Sequence, residues 1–540
     1  MNQTGANGVI YTLLAALVFA VCGCQIPNRT YRSGIGTDTA PVISVTTPEK
    51  LPLSKSNPWP AHPEAPCDKE HLSAQPCLAF LEFDDFGEPW QRTGGTKSNA
   101  GRPTQLDDAV QLIVKAKQQD PFGEPLILTF IHGWKHNASQ GNRSGADDDN
   151  VIGVESMLNR LHDVEWKGHV VIGIYIAWRG GLISPYWPVS QQFTYWNREA
   201  TAARVGNASL TDALIEISDA AKRVGDCKEG SPCYQSIPCV KSSAGTQDLG
   251  GQGASTACSP IFLLIGHSFG ALVLERALSQ AIVTRMEAEW NTGRLSEASQ
   301  STRTVNIVPL ASLVIYVNSA AAATESKQVM DYLASSEYKY QPHPDGKDQP
   351  LFLSITSEAD LATGLLLKVG HALPWLGYKW NGSLRAKPSA SPVDGKPTTS
   401  YARACFDPSK EKTSDYQRVR YDLSEGDYYM TTTAHKEALW SHTVTQQPAP
   451  PNATQGCAAG LGDDIYKTCT IDDYAYVIAP AANRCNGTPY WVLQVQKELI
   501  PDHTTIFTEK LIAFLKAFIP APPPEGGPVV DRPQLTRPLE

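Results

Sequence analysis

Ile261-Phe262-Leu263-Leu264-Ile265-Gly266-His267-Ser268-Phe269-Gly270 is the stretch from which the rest of the chain can be read. An apolar run passes straight into G-x-S-x-G, and Ala271 to Leu278 follow with helical spacing. A strand, a sharp turn and a helix in that order lift a serine hydroxyl above the edge of a sheet. The turn forces strained dihedrals on Ser268, so its close neighbours have to be glycine. The helix start aims free N–H groups and a positive dipole end at any oxygen that gains charge there. Ser268 is therefore the candidate nucleophile, and the backbone N–H of Phe269 a candidate oxyanion donor.

A second donor should follow an earlier strand. Leu126 to Ile131 runs into His132-Gly133-Trp134, where glycine lets the backbone turn and approach a substrate. The N–H of Trp134 or of Gly133 would supply it. Further strands are expected over Leu78–Phe83, Val170–Trp178, Leu313–Asn318, Leu351–Thr356 and Tyr490–Val495. Most are continuous Val/Ile/Leu runs, the pattern of strands covered on both faces. Helical spacing falls between them at about 104–118, 150–162, 208–224, 269–290, 325–335 and 507–518. This alternation predicts an α/β fold with a mostly parallel central sheet flanked by helices.

The chain has 540 residues, 41% hydrophobic and 19% charged, an ordinary globular mixture. Its net charge of −9, with no basic block, argues against nucleic acid as a partner. No apolar run reaches the length of a membrane-spanning helix. Neither a metal nor a cofactor is expected, because the tight C-x₂₋₄-C pairs of a zinc site are missing. Asp147-Asp148-Asp149 lacks the spacing of a calcium loop and reads as a solvated loop or helix cap.

Together these parts resemble the α/β-hydrolase superfamily over about 77–519. Several pieces are similar to serine esterase- and lipase-like proteins of bacteria and fungi. They are Leu81 to Gly87, His132 to Asn137, Tyr175 to Gly180, Tyr195 to Arg198, and Pro489 to Val492 with Ile500 to His503. The resemblance implies the chain order serine, acid, histidine. His503 follows the last strand and is the implied general base. Asp360, on the loop after Leu351–Thr356, is the preferred acid for its short, stiff carboxylate. Glu358 on the same loop and Glu325 after the preceding strand are the alternatives.

Val9 to Val21 form an apolar run followed by Cys22-Gly23-Cys24, which resembles a bacterial lipobox. That implies a signal peptide over 1–23, lipid on the Cys24 thiol, and a place in the bacterial cell envelope. Cysteines 67, 77, 227, 233, 239, 258, 405, 457, 469 and 485 then form an even set, expected to be paired in an oxidising compartment, with Cys67–Cys77 the expected local pair. Residues 24–76 read as a flexible tether and 520–540 as a disordered, proline-rich tail. Two stretches break the alternation: a cysteine-rich insertion at 225–260 and an excursion at 365–489, long enough to cap the site. The aromatics around Tyr186 to Trp196 could line an acyl pocket.

The expected activity is hydrolysis of small or lipid-like carboxylic esters by an exported, lipid-anchored serine hydrolase. An acyltransferase or amidase could use the same residues, and a non-catalytic surface lipoprotein could keep the fold as a scaffold.

Overall fold

A computed structural model describes residues 30–32, 42–44, 65–67, 72, 74–90, 104–120, 125–139, 148–181, 194–222, 260–279, 281, 304–307, 310–323, 325–326, 329, 339–340, 350–362, 441–459, 466–480, 489–519 and 535–538. Seven strands form the parallel centre of its main sheet. Numbered with the shorter strands in chain order, they are β3 (Cys77–Glu82), β4 (Leu126–Ile131), β5 (Val171–Ala177), β6 (Ile261–His267), β8 (Leu313–Val317), β10 (Phe352–Ser357) and β15 (Tyr490–Val495). Their order across the sheet is β15-β10-β8-β6-β4-β5-β3. Every neighbouring pair in that series runs parallel.

The continuous apolar runs follow from burial on both faces. Along β4, Ile127 and Ile131 enter one core, while Leu126, Leu128 and Phe130 enter the other. The first core is closed by α1 (Gln105–Gln119), α3 (Tyr195–Asn207), α4 (Leu210–Lys222) and α5 (269–279). The second is closed by α2 (Asp149–Arg160) and α6 (Glu509–Leu515). The molecule is thus α/β, with helices on both faces of a mostly parallel sheet.

Four sequence expectations change. First, residues 24–76 are not a free tether throughout. β1 (Val42–Ser44) pairs antiparallel with β3, and β2 (Ala65–Pro66) pairs with β1, extending the sheet to nine strands. Further upstream, the Glu82 carboxylate accepts from the Thr30 hydroxyl (2.6 Å) and from the N–H groups of Tyr31 and Arg32 (2.8 Å each). The fully buried Arg32 guanidinium lies over the Phe80 ring and donates to the Ala138 carbonyl. A buried carboxylate at a strand end needs donors, and this segment brings them.

Second, the helix expected at 208–224 is preceded by a separate one, α3, which begins at Tyr195 in the last two residues of the aromatic segment. Third, part of the 520–540 tail is a strand. β16 (Leu535–Pro538) pairs with β7 (Thr304–Ile307) and β9 (Lys339–Tyr340). Fourth, the excursion holds a four-stranded antiparallel sheet of its own: β11 (His442–Pro448), β12 (Gly456–Ala459), β13 (Lys467–Ile471) and β14 (Tyr474–Pro480). It seats on β15 and α6. His442 stacks on Trp491, and Tyr476 meets Phe514.

Cys67–Cys77 and Cys457–Cys469 are disulfides, the second joining β12 to β13. The other cysteines, Cys24 among them, residues 225–259 of the insertion and residues 365–440 of the expected cap lie outside the described residues. No helix among the described residues is long and apolar enough to cross a membrane.

Candidate active site

Ser268 sits between β6 and α5 with φ +56°, the left-handed region that non-glycine residues rarely occupy. Its backbone is gripped at both ends. The Ser268 N–H donates to the Val317 carbonyl, and the Ser268 carbonyl accepts from the Ala320 N–H, each at 3.1 Å. The strain is held in place by α5 behind it and by the end of β8 beside it.

Two glycines let neighbouring backbone close in on this turn. A Cβ on Gly133 would stand 2.7 Å from the Ser268 Cβ and 3.3 Å from its hydroxyl oxygen. A Cβ on Gly270 would fall on the carbonyl oxygens of Ile131 and His132. The 132–137 loop therefore lies against the first turn of α5. Phe269 opens that helix, so its N–H is one of the donors without an intrahelical acceptor.

His503 and Asp360 arrive on the loops after β15 and β10. His503 Nε2 is 2.8 Å from the Ser268 hydroxyl, and Nδ1 is 2.9 Å from Asp360 Oδ1. Asp360 is buried to 2% exposure, and its carboxylate fixes the proton on Nδ1. Nε2 is then left as a lone pair that accepts from the serine hydroxyl. Of the three acids considered, the structure brings only Asp360 to His503. Glu358 is exposed and accepts from the Lys497 N–H, while Glu325 pairs with Arg276 on α5.

The 132–137 loop is built on His132. Its ring is fully buried, stacked between Trp178 and Tyr175. Nε2 accepts from the Trp178 N–H, and the Trp178 indole donates back to the His132 carbonyl, both at 3.0 Å. Burial pulls the His132 pKa down to about 4, so the ring stays neutral and keeps that acceptor. Beyond it, Asp148 caps α2 and also accepts from the Asn137 N–H and pairs with His136. Trp134, Tyr195 and Phe269 cluster beside the serine, with ring centroids 5.1 to 6.2 Å apart. Of the expected aromatic lining, Tyr195 belongs to this cluster and Trp196 is exposed against the Tyr195 ring, while 182–193 lie outside the described residues.

Three of the sequence pieces quoted above meet in one ion cluster at the carboxyl ends of β3 and β5. Asp85 is bound by Arg179 and, at 3.0 Å, by Arg198 of α3. Burial raises the Asp85 pKa, but the two guanidiniums outweigh it and hold the carboxyl below its ordinary range.

Sequence reasoning missed the groups behind the serine. Asn318 and Ser357 join the loops, as described below. Glu275 on α5 is buried and accepts from the hydroxyls of Ser319 (3.1 Å) and Ser326 (2.7 Å). Its place seven residues after Ser268, on the buried side of a helix, was the one available signal. Asp502 organises the histidine loop by accepting from the N–H and hydroxyl groups of Thr504 and Thr505. Burial opposes its charge, yet those donors bring its pKa down to about 2.

Among the described residues, no group of three or more His, Cys, Asp or Glu side chains is arranged to hold a metal ion. No protein-family model matches the chain, and no curated protein or solved structure matches it.

Proposed function

We propose that this protein is a serine hydrolase of the α/β-hydrolase type that cleaves carboxylic esters, exported and carried on a lipid at Cys24. The observation that carries the reading is the continuous chain from the Ser268 hydroxyl through His503 to the buried Asp360 carboxylate. Such a chain lets imidazole take the serine proton as the oxygen attacks an ester carbonyl. The carbonyl oxygen becomes an oxyanion facing the Phe269 N–H and an N–H of Gly133 or Trp134. Collapse releases the alcohol, protonated by the imidazolium. Water, deprotonated by His503, then attacks the acyl-serine and frees the acid.

A fluorophosphonate probe tests this directly. It should label the purified protein on Ser268, and Ser268→Ala should remove both the label and turnover of a short-chain nitrophenyl ester, on the order of 10³-fold or more. The far-UV spectrum should not change. Absence of labelling in the parent protein would favour a scaffold without catalysis.

A further inference from the structure

Resting on the reading of Ser268, His503 and Asp360 as one proton-transfer chain, we propose that Asn318 is the positioning residue that sets these three groups against one another. Asn318 follows β8 directly, is fully buried and has φ +46°. A left-handed asparagine persists only where its surroundings over-determine it.

Its carboxamide touches two loops at once. Oδ1 accepts from the Ser357 N–H at 3.0 Å, three residues before Asp360. Nδ2 donates to the carbonyls of His503 (3.0 Å) and Asp502 (3.3 Å). The third loop is held by the flanking backbone, since Val317 and Ala320 grip Ser268. The nucleophile turn, the acid loop and the base loop therefore take their register from a single side chain and the turn that carries it.

Chemistry restricts what can stand there. The site needs one acceptor for a buried N–H and donors for two part-buried carbonyls. A primary amide of this length supplies both, in one orientation only. A carboxylate would set oxygen against two carbonyl oxygens, and an alkyl chain would strand the buried Ser357 N–H and take a donor from each carbonyl. Two neighbours reinforce the joint. The Ser357 hydroxyl donates to the Ile500 carbonyl (2.6 Å), and His267 Nε2 donates to the His503 carbonyl (2.8 Å).

The test pairs Asn318→Gly, which tolerates the positive φ, with Asn318→Asp, which keeps the acceptor and loses the donors. A displacement of ~1 Å at such a site costs about 10²-fold in rate. For each variant, kcat on a short-chain nitrophenyl ester should fall by about that factor while KM stays within ~3-fold, because the groups that bind substrate are untouched. The rate constant of fluorophosphonate labelling should fall in parallel, with the end-point stoichiometry per folded molecule preserved.

A labelling rate constant within ~3-fold of the parent overturns the proposal. That holds even if fewer molecules label, because the residue then serves folding alone. Failure of both variants to fold overturns it in the same way. A parent protein that does not label on Ser268 fails the underlying reading instead.

Discussion

Asp360 and Glu358 stand two residues apart on one loop, and only burial separates their fates. Asp360 is turned inward under His503, whereas Glu358 faces solvent and holds the Lys497 N–H at 3.3 Å. On the proposed chemistry, Asp360→Asn should lower kcat by about 10⁴-fold, because an amide no longer fixes the imidazole tautomer. Glu358→Gln should change it by less than ~3-fold, since a screened surface carboxylate contributes little. Steady-state rates of the two variants on one ester decide between the acids. The sequence made both visible through the strand that precedes them. It could not reveal which would turn inward, because that depends on Ser357, whose hydroxyl ties the loop to Ile500. Asn318 was hidden for the same reason. Its side-chain partners come from two distant parts of the chain, and nothing local distinguishes it from any asparagine at a strand end.

α5 does more than present the serine. Through Glu275 it is clamped to Ser319 and Ser326, just beyond the end of β8. Burial raises the Glu275 pKa to about 8 from its ordinary 4.5, against the lowering pull of the two hydroxyls, so the fold keeps this carboxyl protonated. Between those two values the folded chain binds more protons than the unfolded one. The contribution to stability is then full below pH 4.5, falls across the window and is lost by about pH 8. Glu275→Gln keeps the shape without the titration and should flatten that slope. Unfolding free energies of the parent, taken at pH 5 and pH 8, should differ by a few kcal/mol more than those of the variant. Equal slopes would mean that Glu275 does not titrate there. At this scale the long apolar strands were legible because both of their faces are buried. α3 was not, since Tyr195-Trp196-Asn197-Arg198 has only a weak helical stripe. What seats it is Arg198 reaching Asp85, 113 residues away.

The whole molecule begins earlier in the chain than its composition suggests. Residues 24–76 are rich in Pro, Ser and Thr, which reads as a linker. Yet Thr30, Tyr31 and Arg32 complete the shell of Glu82, a carboxylate at 3% exposure to which Gln105 also donates. Pairing so distant in sequence has no local signature. Deleting the chain through Arg32 should lower the free energy of unfolding by about 3 kcal/mol, the scale of leaving a buried charged acceptor short of donors. Denaturant titration of the shortened and full chains measures it, and an unchanged midpoint would return residues 30–32 to the linker. The same three residues bear on where the proposed hydrolase would work. A free linker of the 53 residues at 24–76 would let the domain wander about 40 Å from a lipid at Cys24. With Thr30 fastened to Glu82, six peptide steps remain, a reach of at most about 20 Å. Glu82 ends β3, and Arg32 also holds Ala138 on the loop that leads out of His132-Gly133. A leash that short and fastened there would berth the molecule with the carboxyl rim of its sheet turned towards the bilayer. On the proposed ester chemistry and lipid anchor, Ser268 would then graze on esters embedded in the leaflet rather than those diffusing past it.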